Sequence, residues 1–229
     1  MTAVGDDNIK SYIWVYNSSA DSPAGNVKRD NIPNIALFDY QPSRSGQCAA
    51  NFLKGYCGYL CVGGYAGYNR TLAILVACLA HIRRKFMEAK KAQGKNAKAD
   101  WSLNHIQKIY QIKTQIKHLS VDERYRIRQE RALPLLTQFK TWLDKSSLAL
   151  LLMSLLGKAI NYAIVQWEKF LRYCEDGRIN IDNNRSERII KSFVINRKAW
   201  LASKAAKGPY TSAVLYSIIE TAKASGIKP

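Results

Sequence analysis

The stretch LCVGGYAGYN, Leu60 to Asn69, runs from an apolar segment into a cluster of glycines. Such a junction is either a loop that cradles phosphate or the end of a core strand. A phosphate loop needs G-x-G-x-x-G or a terminal G-K-[S/T], with a helix directly behind it to supply backbone N–H groups. Gly63, Gly64 and Gly67 match neither pattern, and Tyr65, Tyr68 and Asn69 stand where the helix would start. The phosphate-loop reading fails. GYLCVGGY reads instead as a buried strand that stops at its glycines.

The same logic extends in both directions. SYIWVYNSS (Ser11 to Ser19) and IALFDY (Ile35 to Tyr40) are aromatic and β-branched, and read as two strands. The turn-rich DSPAGNVKRDN between them predicts a hairpin. CAANFLKGY reads as a short helix with Ala49, Phe52 and Leu53 on one side. LAILVACLA (Leu72 to Ala80) predicts a short buried strand running into a basic helix, HIRRKFMEAKKAQ. GKNAKA (residues 94–99) is the expected flexible seam. Beyond it Leu103, Ile106, Ile109, Ile112 and Ile116 recur at helical spacing. VDERYRIRQERALPLLTQFKTWLDK continues as helix, with Pro134 marking a break or a new first turn. LLGKAINYAIVQWEKFLRYCEDG predicts one helix ending at Gly177 as its C-cap. PYTSAVLYSIIETAKASGI predicts a last amphipathic helix. Strands come first and helices follow, so the fold class is mixed α/β with a basic helical insertion.

The 229 residues carry a net charge of +18. Residues 81–145 hold +10 of it and residues 168–229 hold +6, while residues 1–80 hold only +1. So uneven an excess points to a polyanionic partner met by one face, with nucleic acid ahead of a membrane surface. LALLLMSLLG is about half the length of a bilayer span, and MTAVGDDNIK lacks the basic start and apolar core of a signal peptide. Five cysteines without framework spacing suit a reducing compartment, so a cytoplasmic location is expected.

Two constellations carry chemistry. In IDNNRSERIIK, Asn184 and Glu187 have the spacing of a capping box. The same Glu187, flanked by Arg185, Arg188 and Lys191, is also a carboxylate among cations, as metal-dependent phosphoryl transfer requires. In CLAHIRRKF, Arg83, Arg84 and Lys85 are candidate phosphate contacts. Cys57, Cys61, Cys78 and His81 could ligate zinc only with a spacing that no common zinc site has.

Read together, YIWVY, ALFDYQPSRSG, FLKGYCGYLCVGGYAGYN, CLAHIRRKF, LGKAINYA, GRINIDNNRSERIIKSFVINRKAWL and YSIIETAKASGIKP resemble, in order and over nearly the whole chain, the IS66 family of bacterial insertion-sequence transposases. The resemblance implies DNA transposition by an RNase H-like core whose three carboxylates, a DDE triad, hold two Mg²⁺ ions. It implies a core sheet incomplete at its N-terminal strand. The strand part of the core would span residues 1–89, the basic helical insertion 90–146, and the helical remainder with DNNxxER 147–229. It places the triad's glutamate, a metal ligand, at Glu187. It places the second aspartate at Gly63, where the family reads Asp before Gly-Tyr, so that a catalytic position is lost. The first aspartate would fall before Met1, with Asp6 and Asp7 too late to serve, and the family's terminal portions would lie outside the chain. Asp39 belongs to the FDY pattern, and Asp182 is expected as a helix cap. DNA contacts are expected from Arg44, Arg83, Arg84, Lys85, Arg185, Arg188, Lys191, Arg197 and Lys198. Insertion-sequence ends are the expected DNA, with self-association or pairing with an intact transposase. A degenerate, catalytically incomplete copy is expected, or a non-catalytic DNA-binding regulator.

Overall fold

The computed structural model describes residues 2–4, 10–18, 33–94, 96–148, 153–199 and 207–228. Asp6, Asp7 and the segment 19–32 lie outside these residues, as do the side chains of Arg197 and Lys198. The chain forms two compact units. One comprises Met1–Lys54, Asn69–Thr71 and Asn184–Pro229, and the other Gly55–Tyr68 and Leu72–Asn183. These units do not follow the three consecutive segments read from the sequence.

The first unit is built on an antiparallel sheet of β1 (Thr2–Val4), β2 (Lys10–Ser18) and β3 (Ile35–Gln41), in that order. The predicted hairpin is present, with Trp14 opposite Asp39 and Asn17 opposite Ala36. β1 is an element the sequence did not announce: three residues, Thr2 paired with Tyr12, flank β2 on its other side. Alternation sorts the strands. Ile13, Ala36 and Phe38 face one way with Val15 and Tyr40, and pack against Ile189 and Phe193 of α8 (Asn184–Ala199) and Ala213 and Tyr216 of α9 (Lys207–Ala224). Tyr16 stacks on Phe52 of α1 (Gly46–Phe52) at 4.1 Å between ring centroids.

α9 also closes the free edge of β3. The Phe38 N–H donates to Ser217 Oγ at 2.9 Å, and the Ala36 N–H donates to Thr221 Oγ1 at 3.0 Å. The Thr221 hydroxyl returns a bond to the Ala36 carbonyl at 3.0 Å. Two residues along a strand advance the chain about 6.6 Å, and four along a helix about 6 Å, so an i, i+4 pair of hydroxyls meets an i, i+2 pair of amides.

The second unit holds a parallel pair, β4 (Tyr59–Val62) and β5 (Ile74–Ala77), among helices. The described strands therefore pair as two sheets, not as one core sheet. α2 (Leu79–Gln93) buries Leu79, Ile82, Phe86 and Ala89 and exposes Arg83, Arg84 and Lys85, the split expected of an amphipathic helix. It packs on α6 (Leu155–Val165) and on α3 (Ala97–Ile116). Ile106, Ile109, Ile112 and Ile116 of α3 are buried, as their spacing predicts. On either side of Lys95, which lies outside the described residues, Gly94 ends α2 at φ +65°, and Asn96 Oδ1 accepts from the Ala99 N–H at 3.1 Å.

Pro134 stands in the first turn of a new helix, one of the two outcomes expected of it, while the reading of one helix up to Gly177 is corrected. α4 (Val121–Ile127) and α5 (Leu133–Leu148) are joined by a π-turn at Arg128–Ala132, in which the Leu133 N–H reaches the Arg128 carbonyl five residues back. Pro134 has no N–H and its ring crowds the carbonyl four residues earlier, so widening the preceding turn lets the helix continue. The long helix predicted up to Gly177 is divided instead into α6, α7 (Trp167–Leu171) and a 3₁₀ turn at Arg172–Cys174. Gly177 is not in the left-handed conformation of a C-cap. It is needed for closeness: a Cβ there would run into the backbone carbonyl of Val121.

Candidate metal centre and nucleic-acid interface

Gly63 follows the last residue of β4, at the strand's C-terminal end, and is half-buried. A Cβ built on it would lie 2.7 Å from His81 Nε2 and 2.9 Å from His81 Cε1. The imidazole thus occupies the space into which a side chain at 63 would project. Gly64 has φ +87°, a conformation that disfavours side chains, and a Cβ there would lie 2.6 Å from the Tyr162 hydroxyl. That hydroxyl donates to the Gly63 carbonyl at 3.2 Å, tying the strand end to α6. Burial pushes the Tyr162 phenol above its ordinary range, with Cys78 adding to the rise and Arg84 opposing it. The phenol therefore stays protonated and keeps donating. His81 and Arg84 lie three residues apart on α2, on the same side of the helix.

These groups do not fit Mg²⁺ at position 63. Magnesium requires oxygen ligands in near-octahedral array, and the group presented there is an imidazole nitrogen, a donor suited to softer metals. Among the described residues no three His, Cys, Asp or Glu side chains converge as a ligand group. That set includes Cys57, Cys61, Cys78 and His81, so the zinc reading falls.

Glu187 stands in the first turn of α8, half-buried, where a carboxylate is favoured by the helix dipole. Ile189 and Phe193 bury the opposite side of the helix, which leaves Glu187, Arg188 and Lys191 together on its outward side. Ser186 Oγ donates to Asn17 Oδ1, pinning the start of α8 to the end of β2. The capping register differs from that expected. α8 begins at Asn184 itself, so its cap position falls on Asn183, one residue before the Asn184–Glu187 box.

Asp182 lies two residues before α8. Its side chain is fully buried and its Oδ2 accepts from Lys113 Nζ of α3 at 3.1 Å. Tyr110 of α3 also hydrogen-bonds to it; burial, reinforced by that carboxylate, pushes the Tyr110 phenol well up. The next residue, Asn183, donates its backbone N–H to Cys78 Sγ at 3.3 Å. The Lys113–Asp182 pairing is not legible in the sequence, because 69 residues separate the partners.

The candidate phosphate contacts divide between the units. Arg188, Lys191 and Arg44 are exposed in the first unit, and Arg185 is half-buried. Arg83, Arg84 and Lys85 are exposed in the second, where Lys85 lies 3.5 Å from Glu88. Arg197 and Lys198 belong to the last turn of α8. Some of the basic insertion's charge turns inward. Arg128 is buried, donates to the Tyr173 and Asp176 carbonyls at 3.0 and 2.6 Å, and lies 4.0 Å over the Tyr173 ring. That charge fastens the helical turn after α7 and is not available to a polyanion. Among the described residues, no helix is long and apolar enough to cross a membrane.

Comparison with known proteins gives these parts a common context. Three proteins of Sinorhizobium fredii (strain NBRC 101917 / NGR234), each described as uncharacterized, are similar to the chain. They are y4jD, 34% identical over 86% of the chain and 40% of its own length, y4hP, 30% over 95% and 42%, and y4qI, 28% over 96% and 42%. The chain thus spans about two fifths of the length of these relatives. No solved structure matches it. The model of the family described as Transposase IS66 family matches residues 3–210, which takes in β4, Gly63, α2 and the whole of α8. The chain belongs to the IS66 transposase family.

Proposed function

We propose that this chain is the DNA-engaging part of an IS66-type transposase in which metal-dependent strand cleavage is incomplete. The reading includes an RNase H-like ancestry for the strand–helix core and Glu187 as a carboxylate of a DDE triad. The observation that carries it is position 63. The strand end that should hold a metal-binding aspartate has no side chain, and His81 fills its place. Two divalent ions beside DNA phosphates need several carboxylate oxygens to offset their mutual repulsion, and the loss of one ligand of three leaves the pair unsupported. The exposed Arg44, Arg83, Arg84, Arg188 and Lys191 supply phosphate contacts, which persist without metal.

The test is strand nicking of insertion-end DNA by the full chain in Mg²⁺ or Mn²⁺. The parent protein is expected to nick no faster than buffer, and Glu187→Gln to change nothing. Nicking by the parent that disappears in Glu187→Gln overturns the proposal.

A further inference from the structure

α9 carries apolar residues on two sides. On one, Ala213 and Tyr216 pack on the sheet of the first unit, while Ser217 and Thr221 bond the edge of β3. These contacts fix the rotation of the helix about its own axis. They turn Tyr210, Val214, Leu215 and Ile218 outward, where these side chains are 63%, 42%, 52% and 62% exposed. Residues four apart lie on one side of a helix, so the four form a single patch along α9. From Gly208 to Ile219 the sequence holds no charged residue, in a chain whose net charge is +18. The next charged residue, Glu220, is turned to the other side, where it accepts from Ser192 of α8 at 3.2 Å and from Lys223 at 3.0 Å. A helix that is apolar all round is ordinarily covered all round.

We propose that the outward face of α9 is the surface through which two copies of this chain associate, antiparallel about a two-fold axis at Val214. The inference goes beyond the proposed function and holds whether or not DNA is bound. Charge selects the occupant. Two chains of net charge +18 repel wherever their surfaces carry cations, and an uncharged stretch of helix is where a second copy can approach. The same lack of cations gives a phosphate backbone nothing to hold. A helix lying in a membrane surface turns a charged side to water, whereas the other side of α9 is packed on the sheet. The face is also self-complementary. About a two-fold at Val214, Tyr210 of each copy meets Ile218 of the other, and Val214, the smallest of the four, lets the helices come close at the axis. The four side chains and the small residues between them offer on the order of 500 Å² per copy, so the pair removes roughly 1,000 Å² from water. That is less than a permanent interface buries, and it suits a reversible dimer with a dissociation constant of about 10–100 μM.

Sedimentation velocity of the full chain tests this, without nucleic acid and in about 0.5 M salt to screen the net charge. Over roughly 2–200 μM the sedimentation coefficient is expected to rise from that of a monomer to that of a dimer. Val214→Glu and Val214→Lys are each expected to remain monomeric over the same range, a loss of about tenfold or more in affinity. Their unfolding midpoints are expected to match the parent's, because the position is exposed. Mixed in equal amounts, the two variants are expected to dimerise again, since residue 214 meets its own counterpart only at a two-fold axis. Should the charged variants not fold, Ile218→Ser removes apolar area without adding charge, and is expected to weaken the dimer about fivefold. A parent that stays monomeric at the highest concentration overturns the proposal and leaves the face to a different apolar partner. A dimer left intact by Val214→Glu, or by Ile218→Ser where that variant stands in, overturns the assignment to α9. A mixture of the charged variants that stays monomeric overturns the two-fold at Val214.

Discussion

Asp182 keeps no contact with solvent, and an ionised carboxylate in that position must be matched by charge and hydrogen bonds or not be charged at all. Lys113 and Tyr110 meet that demand from one helix, α3, three residues apart. Removing one partner of such a pair is far more damaging than removing both, because the surviving charge stays buried. Lys113→Met is therefore expected to cost about 3 kcal/mol, the low end for a broken buried pair, since the lysine side chain keeps 27% of its exposure. Lys113→Met combined with Asp182→Asn is expected to recover most of the loss. Urea unfolding of the two variants against the parent measures both numbers, and a double variant no more stable than the single one contradicts the pairing. Gly63 teaches a related lesson. Its identity could be read from the sequence, but what takes the vacant space could not, because His81 lies on a different element, 18 positions along the chain.

At the scale of elements, the seam between β3 and α9 shows how an exposed strand edge is closed without another strand. Each outward amide of β3 that loses its hydroxyl partner is left half-buried and unsatisfied, at about 1–3 kcal/mol. Thr221→Val, which keeps the side-chain shape and removes both bonds to Ala36, is expected to cost about 2 kcal/mol. Ser217→Ala is expected to cost about 1 kcal/mol. Thermal unfolding of the two variants checks the order. The strands β2 and β3 were legible from their aromatic and β-branched residues, and the helix α3 because one side of it is apolar at a fixed period. That periodicity is imposed by burial of Ile106, Ile109 and their like. β1 was not legible, because three residues are too few to show alternation. The break at Gln166 and the role of Gly177 were not legible either. Gln166 is an ordinary helix former, and Gly177 looks like a cap unless the Val121 carbonyl pressed against it is known.

The whole molecule divides its charge and its burial differently from the way the composition suggests. The basic insertion surrounds an aromatic stack in which His105 lies 4.8 Å from Trp101 and 5.5 Å from Phe139, ring centre to ring centre. His105 Nε2 sits 2.7 Å from the Leu135 carbonyl, which can only accept, so that nitrogen carries the ring's proton. Burial holds the His105 pKa below its ordinary 6.5, against the pull of the Leu135 carbonyl and with help from Lys108. The folded state therefore binds a proton less readily than the unfolded chain. Stability is full above about pH 6.5 and falls as the pH drops from there towards the lowered folded value. His105→Phe is expected to flatten this slope between pH 7 and 5, measured as the urea midpoint at each pH. The carboxyls held low, Asp176 by Arg178 and Glu123 by Ser120, act only at more acidic pH. The fold class was legible because element types survive any rearrangement of the chain, whereas the grouping of residues 1–54 with 184–229 requires contacts that no local pattern encodes. That grouping dictates an order of events during synthesis. The helix that shields β3 leaves the ribosome about 180 residues after the strand does. At about 5–20 residues per second the strand waits on the order of 10–40 s with its outer amides open to any passing chain, while the second unit, nearly continuous in sequence, has time to fold first.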